Sequence, residues 1–207
     1  MIHRRFPDHQ IMAEEGHGSK APSPYRWVID PLDGTTNYAH GFPFFCVSIG
    51  LEVEGSVLLG VVYDPLRREL FVAEKGKGAT LNDKPISVSQ VDVLKKSLLV
   101  TGFAYDIRVH PKNNFNHFVN FSLSAQGVRR TGSAALDLCY VAAGRLDGFW
   151  ELKLNPWDTA AGSLMMLEAG GKVTDLAGKP YSIYDPEILA TNGKIHRQMI
   201  EILNKKR

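Results

Sequence analysis

The sequence holds only two cysteines, Cys46 and Cys139, far apart and each in apolar surroundings. They read as buried free thiols. With seven scattered histidines they form no cluster at zinc-ligand spacing, which speaks against a zinc enzyme. No G-x-S-x-G stretch occurs, so a Ser-His-Asp hydrolase built on that elbow is not expected. No apolar run reaches the roughly 18 residues needed to cross a bilayer. The opening residues MIHRRFPDHQ lack the apolar core of a secretory signal, and a reducing cytoplasmic setting is the default expectation. The formal net charge is +2, too near neutral for a nucleic-acid footprint. The one basic run, Lys205-Lys206-Arg207, reads as a solvated helix end. No internal repeat or low-complexity tract is visible.

What is present divides at about residue 93. From Phe44 to Ser89, strand-like runs alternate with turn signals at Glu54-Gly55, Asp64-Pro65, Gly76–Gly78 and Asn82-Asp83. That spacing predicts an antiparallel meander whose apolar face needs covering. A short strand, Ile11-Met12-Ala13, ends on Glu14 and Glu15, and a Gly/Ser/Pro-rich loop over 16–24 follows. No leading helix or strand is evident before it, and an upstream segment is the natural candidate to cover the meander. After residue 93 strands and helices alternate: helices over KNNFNHFVNFSLSAQ, GSAALDLCYVAAGRLDG, DTAAGSLMMLEAGG and HRQMIEILNK, with strands between them. Ser133 is the expected N-cap of the second helix and Gly144 its C′ residue. The expectation is an α/β (α+β) fold in two units, 1–93 carrying the meander and 94–207 an α/β half.

The stretch WVIDPLDGTTNY concentrates the chemistry. A strand led by Trp27 ends on Asp30, Pro31 follows, and Asp33 comes three residues on. Proline cannot donate to a ladder, so the break lets the two acids converge and frees the Leu32 carbonyl. Carboxylates and a carbonyl are hard oxygen donors that suit Mg²⁺, which takes its remaining ligands from water and phosphate. Gly34-Thr35-Thr36 then lets the backbone approach an anion, and a helix starting there would turn free N–H groups toward phosphate. A metal site beside an anion seat implies a phosphate ester bridging both. Read alone, DP and DG are ordinary turns in which acids cap local N–H groups. In NPWDTAAG, Asp158 stands where a helix N-cap belongs, again an ordinary role. Glu14 and Glu15 read equally as a solvated strand end. Together the acids supply what a two-metal phosphatase needs, with ions about 3.5–4 Å apart clamping the attacking and leaving oxygens. His40, near the motif, reads as a loop residue.

WVIDPLDGTTNY and NPWDTAAGSLMMLEAGG closely resemble the two signatures of the inositol monophosphatase family, Mg²⁺-dependent, lithium-sensitive sugar-phosphate phosphatases, and IMAEEG resembles its upstream glutamate motif. The resemblance runs from about Phe6 to the C-terminus. It implies a layered αβαβα sandwich, two or three Mg²⁺ ions, a homodimer, and hydrolysis of inositol 1-phosphate or a similar polyol phosphate by metal-activated water. By the same resemblance Glu14, Asp30 and the Leu32 carbonyl bind the first metal, and Asp30, Asp33 and Asp158 the second. Glu14 and Thr35 orient the water, and the N–H groups of Gly34 and Thr35 hold phosphate. Gly132, Ser133 and Ala134 line the substrate ring, and Glu151 binds its hydroxyls, although Glu151 also reads as a strand-end surface acid and Ser133 as a plain N-cap. Members of the family carry further N-terminal residues, with two helices and a VTxxD acid, that do not occur in this sequence. Fructose 1,6-bisphosphate, histidinol phosphate, NADP and 3′-phosphonucleotides are alternative substrates, and a catalytically impaired binding or regulatory relative is the alternative role.

Overall fold

The computed structural model describes residues 1–16 and 22–205. Most of the predicted 16–24 loop and the end of the basic tail, Lys206 and Arg207, therefore lie outside the described residues. Six α-helices and twelve strands are found among those described.

The first sheet runs in chain order: β1 (Gln10–Ala13), β2 (Tyr25–Asp33), β3 (Cys46–Val53), β4 (Ser56–Asp64), β5 (Glu69–Glu74), β6 (Gly78–Leu81) and β7 (Lys84–Pro85). From β2 onward every neighbour is antiparallel, as the meander predicts, but β1 lies parallel to β2, with Ile11 opposite Trp27. The turn chemistry explains the hairpins. Glu54 and Gly55 both have positive φ (48° and 80°), as do Asn82 and Asp83 (47° and 63°). Two such residues in a row match the right-handed twist of paired strands. A one-turn helix α1 (Ile2–Arg5) precedes β1, where the sequence shows no leading element.

Two helices from the second half cover the inner face of this sheet: α4 (Ala134–Ala142) and α5 (Pro156–Glu168). Small residues make the approach possible. A Cβ on Gly50 would lie 2.9 Å from Ala160 Cβ, and one on Gly60 2.8 Å from the Ala161 carbonyl oxygen. On the opposite side of α5, a Cβ on Gly162 would meet Leu138 of α4 at 2.6 Å. Ala160-Ala161-Gly162 is thus the thin strip through which α5 touches sheet and helix at once. Along β3 the inward residues are Cys46, Ser48, Gly50 and Glu52, all buried. The outward ones, Val47, Ile49, Leu51 and Val53, are only partly buried and belong to no buried cluster of the described residues.

Beneath α4 and α5 lies the second sheet, ordered β11-β12-β10-β8-β9 from β8 (Leu98–Thr101), β9 (Gly127–Arg129), β10 (Gly148–Leu152), β11 (Lys172–Thr174) and β12 (Glu187–Thr191). Strand β8 pairs in parallel with both β9 and β10. The central core joins Phe71 and Val62 of the first sheet to Leu136, Leu138, Met165 and Met166 of the helices and to Phe149 and Ile188 of the second. Its far face packs Leu99, Trp150 and Leu189 against Phe121 of α3 (Phe115–Ser122) and Met199 and Ile202 of α6 (His196–Leu203). The described residues therefore stack as sheet, helices, sheet, helices: a mixed α/β sandwich. Cys46 and Cys139 are buried free thiols within it, as expected.

Candidate active site

Asp30 and Asp33 are three positions apart, a spacing that in a regular strand puts side chains on opposite faces. Both are nevertheless buried on the inner side, 2% and 9% exposed. The cause is a bulge. Asp30 pairs with Ser48 and Asp33 with Cys46, so three steps on β2 oppose two on β3. Pro31, with no N–H to give, sits in the bulge, and the Leu32 N–H donates to Asp30 Oδ1 at 2.9 Å rather than to the ladder. The strand continues through the bulge to Asp33 instead of ending at Asp30.

Asp33 is held from the second half of the chain. Its Oδ2 accepts from Ser133 Oγ and from the Ala135 N–H, both at 2.7 Å, at the start of α4. Ser133 is also the N-cap of that helix, as predicted, and Gly144 takes positive φ just past its end. Immediately after Asp33, α2 (Thr35–Ala39) begins at Gly34, whose φ is +97°. A Cβ there would lie 2.9 Å from the Phe44 carbonyl oxygen, so only glycine fits. The first N–H groups of such a turn have no intrahelical partner, and Gly34, Thr35 and Thr36 line the cleft. Asn37 ties the turn down, donating to the carbonyls of Phe44 (2.7 Å) and Thr131 (2.8 Å).

Asp158 does not cap α5. The N-cap is Asn155, because Pro156 occupies the first helical position, where its fixed φ and missing N–H cost nothing. Asp158 is the third helical residue, and its Oδ2 accepts from the Asn155 N–H at 2.7 Å in a capping box. That contact uses one oxygen and leaves the carboxylate on the cleft. Glu14 follows β1, is exposed, and lines the same cleft.

The cleft encloses about 170 Å³. Its lining includes every site residue predicted from the sequence: Glu14, Asp30, Leu32, Asp33 and Asp158, Gly34 and Thr35 at the α2 turn, and Gly132, Ser133, Ala134 and Glu151. Glu151 is buried rather than a surface acid. Among the described residues no three Asp, Glu, His or Cys side chains stand as a finished metal cage. The acids share one space without closing on one another. Their electrostatics fit a cation all the same. Burial, then the Asp33 charge, drives the Asp30 carboxyl well above the usual carboxylate range, against the lowering hydrogen bond from Leu32. Burial lifts Asp33 to about 6 despite the bonds from Ser133 and Ala135. Burial, opposed by the Asn155 N–H and assisted by the Asp33 and Glu14 charges, lifts Asp158 to about 7. Buried carboxylates that raise one another are the donors whose cost a divalent cation removes.

Sequence reasoning missed the rim. The loop after β8 is anchored by Asn114, which donates to Thr101 Oγ1 and the Gly102 carbonyl and accepts from Trp150 Nε1 at 2.7 Å. It carries Tyr105 to Thr35, with the hydroxyls 3.2 Å apart. Lys153, at the unusual φ of +62°, pairs with Asp106 at 2.7 Å. Arg130 and Gly102 complete the wall. None carries a motif of its own. The one signal was that Arg130 adjoins Gly132 and Ser133 in the chain.

The whole chain, residues 1–207, matches the family described as the inositol monophosphatase family. It is 53% identical over 204 residues to a Synechocystis sp. protein named inositol-1-monophosphatase, covering 98% of this chain and 71% of that one. It is 45% identical over 206 residues to the protein named Nus factor SuhB of Pseudomonas aeruginosa, covering 96% and 75% respectively. Among solved structures, the inositol monophosphatase from Anabaena (Nostoc) sp. superposes with a TM-score of 0.95 at 54% identity, over 98% of this chain and 81% of that one.

Proposed function

The chain belongs to the inositol monophosphatase family, and from that premise we propose that it is a Mg²⁺-dependent phosphomonoesterase acting on inositol 1-phosphate or a similar polyol phosphate. The observation that carries the reading is the convergence of Asp30, Asp33 and Asp158, from two halves of the chain, on one cleft beside the α2 turn. Glu14, Asp30, Asp33, Asp158 and the Leu32 carbonyl would hold two or three Mg²⁺ ions. Bound there, Mg²⁺ would neutralise phosphate charge and make water a competent nucleophile near neutral pH.

The chain's own residues do the rest. The N–H groups of Gly34 and Thr35 receive phosphate oxygens at the positive end of the α2 turn. Glu14 and the Thr35 hydroxyl orient the attacking water. Gly132, Ser133 and Ala134 form the wall against which the ring lies, and Glu151 accepts from ring hydroxyls. Ser133 also fixes Asp33, so the ring wall and the metal floor are locked together. Lithium sensitivity, a homodimer and a cytoplasmic setting belong to the same proposal and rest on the family alone.

Similarity to proteins named Nus factor SuhB favours a second reading, a regulatory binding role on the same fold. The intact acids weigh toward the enzyme. Phosphate release from inositol 1-phosphate, with and without Mg²⁺, tests it. Release that requires Mg²⁺ and falls on adding lithium is expected; release at the buffer background under all conditions would favour the regulatory reading.

A further inference from the structure

Most charged side chains of the cleft have a partner: Asp30 with the Leu32 N–H, Asp33 with Ser133 and Ala135, Asp158 with Asn155, and Lys153 with Asp106. Apart from Glu14, the exceptions are Glu151 and Arg130. Glu151 is only 7% exposed, yet among the described residues no group donates a hydrogen bond to its carboxyl. Arg130 is exposed and lines the same cleft, and among the described residues its side chain makes no hydrogen bond or ion pair. Its chain neighbour Arg129 is spent locally, on the Val128 carbonyl. Burial, then the Asp137, Asp158 and Asp33 charges, holds the Glu151 carboxyl well above the usual carboxylate range; the Arg130 charge opposes them, and the two do not bond. The backbone is cleared to leave Glu151 where it stands: a Cβ on Gly102 would fall 2.2 Å from its Oε1.

Glu151 is largely withdrawn from water yet opens onto the cleft, so a ligand that donates to it displaces little solvent, and exposed Arg130 is free to turn to the same ligand. Guanidinium only donates, and a carboxylate only accepts. A hydroxyl does both. A second phosphate beside Arg130 would press against Glu151 in a cleft already lined with acids, whereas a hydroxyl satisfies both groups without adding charge. We propose that Arg130 is a specificity-determining residue, donating to a hydroxyl oxygen of the polyol while that hydroxyl or its neighbour donates to Glu151. This rests on the phosphatase reading above and deepens it: the cleft selects vicinal hydroxyls over a second anion.

The test is steady-state hydrolysis by the full chain with Mg²⁺, comparing Arg130→Ala and Arg130→Lys with the parent on inositol 1-phosphate, p-nitrophenyl phosphate and fructose 1,6-bisphosphate. Loss of one charge-assisted hydrogen bond to bound substrate should raise KM for inositol 1-phosphate about tenfold in Arg130→Ala, with kcat nearly kept. The ratio of kcat/KM for inositol 1-phosphate to that for p-nitrophenyl phosphate, which lacks hydroxyls, should fall about tenfold. Arg130→Lys should recover part of the loss, since an ammonium lacks the planar fork. An unmoved ratio would show that Arg130 serves every phosphate ester alike and overturn the proposal. So would a larger loss on fructose 1,6-bisphosphate than on inositol 1-phosphate, which would make Arg130 a reader of a second anion. If the parent releases phosphate from none of the three, the phosphatase reading falls and this inference falls with it.

Discussion

Asp33, on the floor of the cleft, is held by two hydrogen bonds at 2.7 Å from the start of a nine-residue helix. Tyr105, on the rim, is 85% exposed and meets Thr35 through one contact at 3.2 Å. The floor is built from a strand bulge, a helix cap and a capping box, all fixed by local backbone rules. The rim is a loop hung from Asn114 and the packing of Phe103 on Phe115 and Phe118. Chemistry that tolerates no displacement sits on regular elements, and discrimination among substrates sits on the part free to differ.

If that division holds, damage to the floor abolishes turnover while damage to the rim retunes it. The largest effect is expected for Asp33→Asn. The amide oxygen can still accept from Ser133 and Ala135, so the melting temperature should stay within a few degrees, while kcat falls about 10³-fold through loss of a ligand charge. Parallel phosphate-release assays and circular-dichroism melts check both halves of the statement; near-normal kcat would break the comparison. Next comes Gly102→Ala. The added methyl group must displace the Glu151 carboxyl, so KM for inositol 1-phosphate should rise about tenfold, with p-nitrophenyl phosphate affected less. Smallest is Tyr105→Phe. An exposed neutral hydrogen bond lies at the low end of a range of about 0.5–1.5 kcal/mol, and a loss of about 0.5 kcal/mol should lower kcat/KM about two- to threefold. A larger fall would move Tyr105 from rim to floor.

The same division decides what could be read from sequence. Asp30-Pro31-Leu32-Asp33 was legible because a proline between two acids has few structural outcomes, and the bulge is one of them. Glu54-Gly55 and Asn82-Asp83 marked their hairpins because both residues of each pair take positive φ. Asp158 was placed at the right helix end but at the wrong cap: Asn155 and Pro156 outcompete it, a preference visible in the residues once proline at the first position is weighed. The parallel pairing of β1 with β2 left no mark, since Ile11-Met12-Ala13 would suit either direction. Nor did Gly102, Tyr105 or Lys153, whose places follow from tertiary anchoring at Asn114 and Asp106 rather than from spacing. The outward stripe Val47, Ile49, Leu51 and Val53 is the converse case. Its alternation predicts a strand with an apolar face, yet on β3 it is the other face, Cys46, Ser48, Gly50 and Glu52, that the described helices cover.

The central claim is that acids from both halves of the chain form one cation site, and the sharpest test is thermal stability against pH and Mg²⁺. Asp33 and Asp158 are lifted to about 6 and about 7 in the folded protein, above their unfolded values. The folded state therefore binds more protons than the unfolded one across that interval, and without divalent cations stability should fall as pH rises from about 4 to about 7. At pH 8 these carboxylates are charged and mutually repelling, so adding Mg²⁺ should raise the melting temperature by several degrees, much less at pH 5, and much less at either pH in Asp33→Asn. A melting temperature that ignores Mg²⁺ at pH 8, or rises equally in the parent and in Asp33→Asn, would contradict the account.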